Sequence, residues 1–277
     1  LAVLAHPDDE TFGMGGTLAY YARKGVQVHL VCATRGDVGD VPPDMLKGFN
    51  SVAELRESEL RCAAAKLGLA GVHFLNYRDS GMPGSEDNHH PMALAAQDTE
   101  KVVADVVHYI RLLKPQIVVT FDPIGGYRHP DHIAIQRAAD KAFFAAGDPH
   151  YQGDPLPPFS PKKLYFNTMP KTLLKIGVLF MRLRGKDPHK AGKNGDIDLV
   201  SIASVSFPVN AVIDYRSVLQ VRDEAAACHA SQGGGGQITG GLMGSLRRAF
   251  AARENYMRAF PEPNGHRERD LFEGIDQ

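Results

Sequence analysis

Four short apolar runs, each cut off by a polar cluster, constrain this chain more than any single motif. They occupy residues 1–5, 26–32, 72–75 and 117–121. Largely apolar character suits strands covered on both faces, as in a parallel sheet. A helical period separates the runs, over residues 17–24, 51–67 and 97–113, with a fourth at 133–146 after the last. In the second, Val52, Leu55, Leu60, Ala63, Ala64 and Leu67 fall on one side of a helix, and Gly68 ends it. In the third, Val102, Val103, Val106, Val107, Ile110 and Leu113 do the same, with Pro115 just beyond. Alternating strands and helices predict an α/β, Rossmann-like, doubly wound and mostly parallel sheet flanked by helices.

The second half is less regular. Residues 147–161 form a Pro-rich linker and 163–167 a fifth strand. An insertion is expected over 170–200, with an apolar stretch at 173–183 and a basic, Gly-rich tip at 185–195. Residues 203–207 suggest an edge strand, 212–229 a helix and 231–244 a mobile glycine-rich loop. A last amphipathic helix is expected at 245–257, with a charged tail after Pro263. One domain covers 1–277: a core at 1–168 and 200–232, the insertion, and the C-terminal helix and tail at 245–277. The stretch at 173–183 contains Lys175 and Arg182 and is too short to cross a bilayer. It reads as a flap over a cleft.

Basic and acidic residues number 31 and 32, a net charge of −1. Such a balance gives no field to attract nucleic acid or an anionic membrane, so neither nucleic acid nor membrane association is expected. A homo-oligomer is left open. Cys32, Cys62 and Cys228 have no CxxC spacing and read as small core residues. Without a disulfide framework or a signal peptide before Leu1, the cytoplasm is the expected compartment.

The chemistry gathers where two apolar runs stop. The first ends in His6-Pro-Asp-Asp-Glu10, and Pro7 cannot continue a sheet ladder. The fourth ends in a segment containing His129-Pro-Asp-His132, with His129 at a helix N-cap and Pro130 at the first helical position. In an open α/β sheet, ligands bind outside such strand ends. Two imidazoles and a carboxylate, from His6, His132 and Asp9, leave an open position on a metal such as Zn²⁺, and Fe²⁺ suits the same set. Asp8 is then free to take a proton from water, and His129 to donate to a developing oxyanion. Gly13, Gly15 and Gly16 match neither the dinucleotide fingerprint nor a phosphate loop and are read as close packing of a helix start against the metal site.

Ala5-His-Pro-Asp-Asp-Glu10 and His129-Pro-Asp-His132 resemble the two defining motifs of the LmbE-like, or PIG-L, zinc de-N-acetylases. That family includes deacetylases of N-acetylglucosaminyl-phosphatidylinositol and of mycothiol and bacillithiol biosynthesis. Thr34-Arg-Gly-Asp37 (the family usually has Glu at the last place), Arg56 with Glu59-Leu60, Tyr77-Arg-Asp-Ser-Gly-Met82 and His229-Ala-Ser-Gln232 are similar to further family segments. The resemblance implies a zinc-dependent deacetylase of an N-acetylglucosamine-type sugar, with His6, Asp9 and His132 as ligands, Asp8 as base and His129 as acid or oxyanion donor. It also implies sugar contacts from Arg56 and Asp79, where a guanidinium and a carboxylate suit a polyhydroxylated ligand. Glu10 and Asp131 are expected to orient the ligands, and His229 to lie near the site or cap a helix. The competing readings are an amidase acting on a thiol conjugate or a secondary metabolite, and a sugar- or metal-binding module without catalysis.

Overall fold

The computed structural model describes residues 1–169, 171–191, 195, 197–234 and 252–275. In chain order the strands are β1 (Ala2–Leu4), β2 (His29–Thr34), β3 (Gly71–Tyr77), β4 (Ile117–Phe121), β5 (Lys163–Thr168), β6 (Ala211–Asp214) and β7 (Arg253–Phe260). The helices are α1 (Asp9–Arg23), α2 (Val52–Leu67), α3 (Thr99–Leu113), α4 (Gly125–Arg128), α5 (Pro130–Ala145), α6 (Lys171–Leu183), α7 (Leu199–Ser204) and α8 (Leu219–Cys228).

One sheet runs β3-β2-β1-β4-β5-β7-β6. Its first five strands are parallel, while β7 lies antiparallel to β5, and β6 antiparallel to β7. The doubly wound α/β class is therefore as expected. Strand order reverses between β1 and β4, and a crevice opens at such a switch point. The core is built on the sheet: Leu4, Leu30, Val118 and Leu164 are wholly buried, with Ile110 of α3 and Ile135 of α5 against them.

Local signals set the helix ends. Ser51 accepts a hydrogen bond from the Glu54 amide at the start of α2, and Gly68 closes that helix with φ 78°. Asp98 caps α3. His129 caps α5 by accepting from the Asp131 amide, with Pro130 in the first turn. The tight glycine of α1 is Gly16, where a Cβ would lie 2.1 Å from the Tyr215 ring. It makes room for the C-terminal half, not for the metal site as expected.

Four expectations for the second half are corrected. Residues 203–207 form no edge strand: the Asp198 side chain accepts from the Ser201 amide and starts α7, which ends at Ser204. Residues 212–214 of the expected helix belong to β6, because β7 offers them a ladder, and the helix begins only at Leu219. Of the helix expected at 245–257, residues 253–257 belong to β7, and 245–251 lie outside the described residues. Propensity along Arg253–Phe260 is overridden by pairing with β5 and β6. The segment after Pro263 is no free tail, since Glu268 and Leu271 are buried. Most of the glycine-rich loop, residues 235–244, lies outside the described residues.

The cysteine expectation is also corrected in part. Cys32 is buried and free, but Cys62 of α2 and Cys228 of α8 form a disulfide across 166 residues, with Cα atoms 5.8 Å apart. One ground for a reducing compartment thereby falls away. Among the described residues no helix is long and apolar enough to cross a membrane.

Candidate metal centre

His6 follows β1, Asp9 opens α1, and His132 lies in the first turn of α5, so their elements meet at the switch point. Nδ1 of His6 is 3.2 Å from Nε2 of His132. Asp9 places Oδ2 3.5 Å from Nδ1 of His6 and Oδ1 3.2 Å from Nε2 of His132. Donors on a tetrahedral ion with bonds near 2.0–2.1 Å are separated by about 3.3–3.4 Å. The three side chains have the spacing of one face of such a site.

Orientation follows from the next layer. Nε2 of His6 lies 3.1 Å from Oδ2 of Asp131, which also accepts from the Ser80 amide at 2.9 Å, while the Ser80 hydroxyl donates to the other carboxylate oxygen. With its proton directed at Asp131, His6 presents the Nδ1 lone pair to the other donors. His132 stacks on Phe121, centroids 3.9 Å apart, and its Nδ1 is buried without a partner among the described residues. The His6 amide donates to Oδ2 of Asp9 at 2.7 Å and fixes that carboxylate. Among the described residues two further groups bring possible ligand atoms together, His6 with His129 and His132, and His6 with Asp79 and Asp131. The latter faces the protonated side of His6, and its Asp131 is already engaged by Ser80.

Charge is arranged unequally around the donors. Burial alone would depress the pKa of His6, but Asp79, Asp131 and Asp9 outweigh it and raise it. Burial opposes ionisation of Asp9, but His132 and His6 hold its pKa well below the usual carboxylate range. Asp8 is pushed up to about 6 by burial, with Arg56 pulling the other way. Asp8 stands at the N-cap of α1 with φ 133° yet makes no side-chain capping bond, which leaves its carboxylate for the site.

Arg56 is buried and held on three sides. Nη1 donates to the Gly36 carbonyl at 3.1 Å, and Nη2 donates to the Pro7 carbonyl at 2.7 Å and to Oδ2 of Asp8 at 3.1 Å. Gly36, with φ 62°, is required: a Cβ there would lie 2.0 Å from Nη1. Asp79 is buried beside His6, Oδ1 3.5 Å from Nε2, and accepts from the Gly81 amide. Its own amide donates to Asp37 at 3.0 Å.

Nδ1 of His129 accepts from the Asp131 amide at 3.2 Å. A neutral ring so engaged carries its proton on Nε2, a donor and not a base. Burial and the neighbouring His6 and His132 push its pKa down to about 2, which favours the neutral form. Tyr127 had no place in the sequence reading, yet its ring lies 4.9 Å from that of His132 and 5.8 Å from that of His129. Its position two residues before His129 was the available signal. Glu10 departs from expectation: among the described residues its carboxylate bonds none of the three candidate donors, but accepts from the Asp8 amide and faces His229.

Known proteins resemble the chain in sequence and in fold. Residues 1–143 match the PIG-L family model, described as GlcNAc-PI de-N-acetylase. A 1D-myo-inositol 2-acetamido-2-deoxy-alpha-D-glucopyranoside deacetylase from Streptomyces avermitilis is 35% identical over 99% of this chain and 96% of its own length. One of the same description from Geodermatophilus obscurus is 37% identical over 84% of this chain and 82% of its own. The N,N'-diacetylchitobiose deacetylase of Pyrococcus horikoshii has a similar fold, with TM-score 0.62, 21% identity and coverage of 99% of this chain and 86% of that one. A 4-carboxy-2-hydroxymuconate hydratase from Pseudomonas putida is alike in fold as well, with TM-score 0.61 at 18% identity over 94% of this chain and 95% of that one.

Proposed function

The chain belongs to the PIG-L family of de-N-acetylases, and from that premise we propose that it removes the acetyl group from an N-acetylglucosamine linked to a small polyol such as inositol. It is a hydrolase of an amide C–N bond and works as one domain. The observation that carries the reading is the convergence of His6, Asp9 and His132, 3.2–3.5 Å apart, with Asp8 spare beside them. These three residues would hold a divalent metal, for which Zn²⁺ is our choice and Fe²⁺ the other ion such donors accept. When bound, the metal supplies Lewis-acid chemistry to the amide carbonyl and to water.

Asp8 takes the proton of the attacking water, and its raised pKa lets it return that proton to the departing amine. Nε2–H of His129, fixed by the helix cap, donates to the oxygen that gains charge as the carbonyl is attacked. Tyr127 stands against both histidine rings and can add a second donor there. Arg56 and Asp79 offer the guanidinium and carboxylate that sugar hydroxyls need, Arg56 also steadying Asp8. The α6 helix leaves the same edge of the sheet and serves as a flap. Its Ile176, Leu179, Phe180 and Leu183 form an exposed apolar stripe.

A panel of N-acetylglucosaminyl compounds, scored by free amine released with and without a chelator, tests the reading. Release from the inositol-linked sugar that stops on chelation is expected. Turnover that survives removal of all metal would defeat it, and so would a folded, metal-loaded protein that releases amine from no member.

A further inference from the structure

A buried pair outside the donor set ties the far end of the chain to the turn that carries Asp8. His229 directly follows α8 and is fully buried, with Nε2 2.7 Å from Oε1 of Glu10. The Thr11 hydroxyl donates to the same oxygen. The other oxygen, Oε2, accepts the Asp8 amide at 3.0 Å. Carboxylate oxygens already used as acceptors need donors, so the His229 ring brings its proton on Nε2. The chain of contacts ends on a backbone that wants holding: Asp8 has φ 133° and ψ −28°, which a side-chain-bearing residue rarely adopts.

The segment that delivers His229 is itself pinned to α2. The Ser231 amide and hydroxyl donate to Glu59 at 2.8 and 2.6 Å. One residue before His229, Cys228 is bonded to Cys62. Arg56, on the same helix as Glu59 and Cys62, holds the Asp8 carboxylate. The base is thus gripped from two sides, by Arg56 at its carboxylate and by Glu10 at its amide.

We propose that His229 is a positioning residue for the deacetylation: by holding Glu10 on the Asp8 amide it keeps the Asp8 carboxylate turned into the site. Its ring is buried and bonded to Glu10, not to His6, Asp9 or His132 among the described residues, so its effect passes through Asp8. The proposal rests on the reading that Asp8 is the base.

The test uses His229→Ala and His229→Gln, each in the parent protein and in Asp8→Ala, all metal-loaded. In the parent, His229→Ala should lower kcat by about 10–100-fold, the range for lost supporting hydrogen bonds, with KM and metal stoichiometry unchanged. His229→Gln, which keeps a donor, should recover part of the loss and guards against a variant that fails to fold. In the Asp8→Ala background, replacing His229 should change kcat little, since its target is gone. Hydrogen exchange gives a readout independent of turnover: the Asp8 amide should exchange roughly tenfold faster or more in His229→Ala than in the parent. An equal loss of kcat in both backgrounds, or unchanged exchange at Asp8, would overturn the proposal. If the parent releases no amine from any N-acetyl sugar, the functional reading fails, and exchange at Asp8 still decides whether His229 holds the turn.

Discussion

Arg56 sets its guanidinium 3.1 Å from the Asp8 carboxylate while donating at 2.7 Å to the Pro7 carbonyl, so one buried side chain grips the turn before α1 at two points. The pairing opposes the effect of burial on Asp8, whose pKa stands at about 6. In Arg56→Leu the carboxylate loses the largest of the positive neighbours that oppose burial, leaving only His6 and His229, so the pKa should rise. A base works only when deprotonated, so the acid limb of kcat/KM should move to higher pH. A limb that stays in place would remove Arg56 from the electrostatics of Asp8. Arg56→Lys should not restore the parent profile, because an ammonium cannot reproduce the fork to Gly36, Pro7 and Asp8.

His132→Ala removes one of three converging donors and should lower metal affinity by at least 10–100-fold. Metal content after dialysis against a weak chelator is the measurement, and full occupancy would exclude His132 as a ligand. Asp8→Ala makes the complementary case. It should keep its metal and lose about 10²- to 10⁴-fold in kcat, the contribution of a general base.

How far the sequence could be read follows from the range of the interactions. His6, Asp8 and Asp9 share one turn, and His129 and His132 one helix start, so their grouping at strand ends was legible locally. The strands before them were legible for the same reason. Arg56 and Gly36 were visible as motif residues, but their fit, a guanidinium lying where a Cβ would stand, exists only after folding. Strand β7 was not legible because its partners, β5 and β6, lie far off in the chain. Glu10 was misread for a related reason, since the His229 it faces is 219 residues away.

The disulfide was equally hidden, and its prediction is thermodynamic. A cross-link between Cys62 and Cys228 restricts the unfolded chain, and such bonds typically contribute about 2–4 kcal/mol. Cys62→Ser with Cys228→Ser should therefore lower Tm by several degrees. A reductant should lower the parent to the same value and leave the double variant unchanged. Titration of three free thiols in the denatured, unreduced parent would show that the bond does not form.

The flap reading of α6 makes a kinetic prediction. Ile176, Leu179, Phe180 and Leu183 recur at helical spacing and are all exposed, so their replacement has little folding cost. Phe180→Ser with Leu183→Ser should raise KM several-fold with metal content and Tm preserved, as expected for a closing lid. Sedimentation of the parent, but not of this variant, with anionic liposomes would instead make the stripe a membrane contact.

The C-terminal segment carries the last prediction. Glu268 is buried, with Nζ of Lys163 2.7 Å from Oε1 and the Tyr165 hydroxyl donating to Oε2 at 2.6 Å. Arg258 adds a second cation on Oε1. Burial disfavours the charged carboxylate, but the bonds from Lys163 and Tyr165 outweigh it and hold the pKa below its ordinary value. A depressed pKa in the folded state stabilises fully above the unfolded value, near 4.3, and the contribution is lost as pH falls through the folded value. Glu268→Gln leaves two buried cations without their anion, at a cost of about 3–5 kcal/mol near pH 7. The backbone amide of Glu268, which donates to the Asn210 carbonyl at 2.7 Å, is untouched by the change. Urea unfolding of parent and variant at pH 7.5 and again below pH 4 should therefore show a gap that narrows in acid, because there the parent's unfolded chain takes up a proton at Glu268 that its folded state resists, and the variant has no such group. An equal gap at both pH values would mean that Glu268 holds the segment by packing and not by charge.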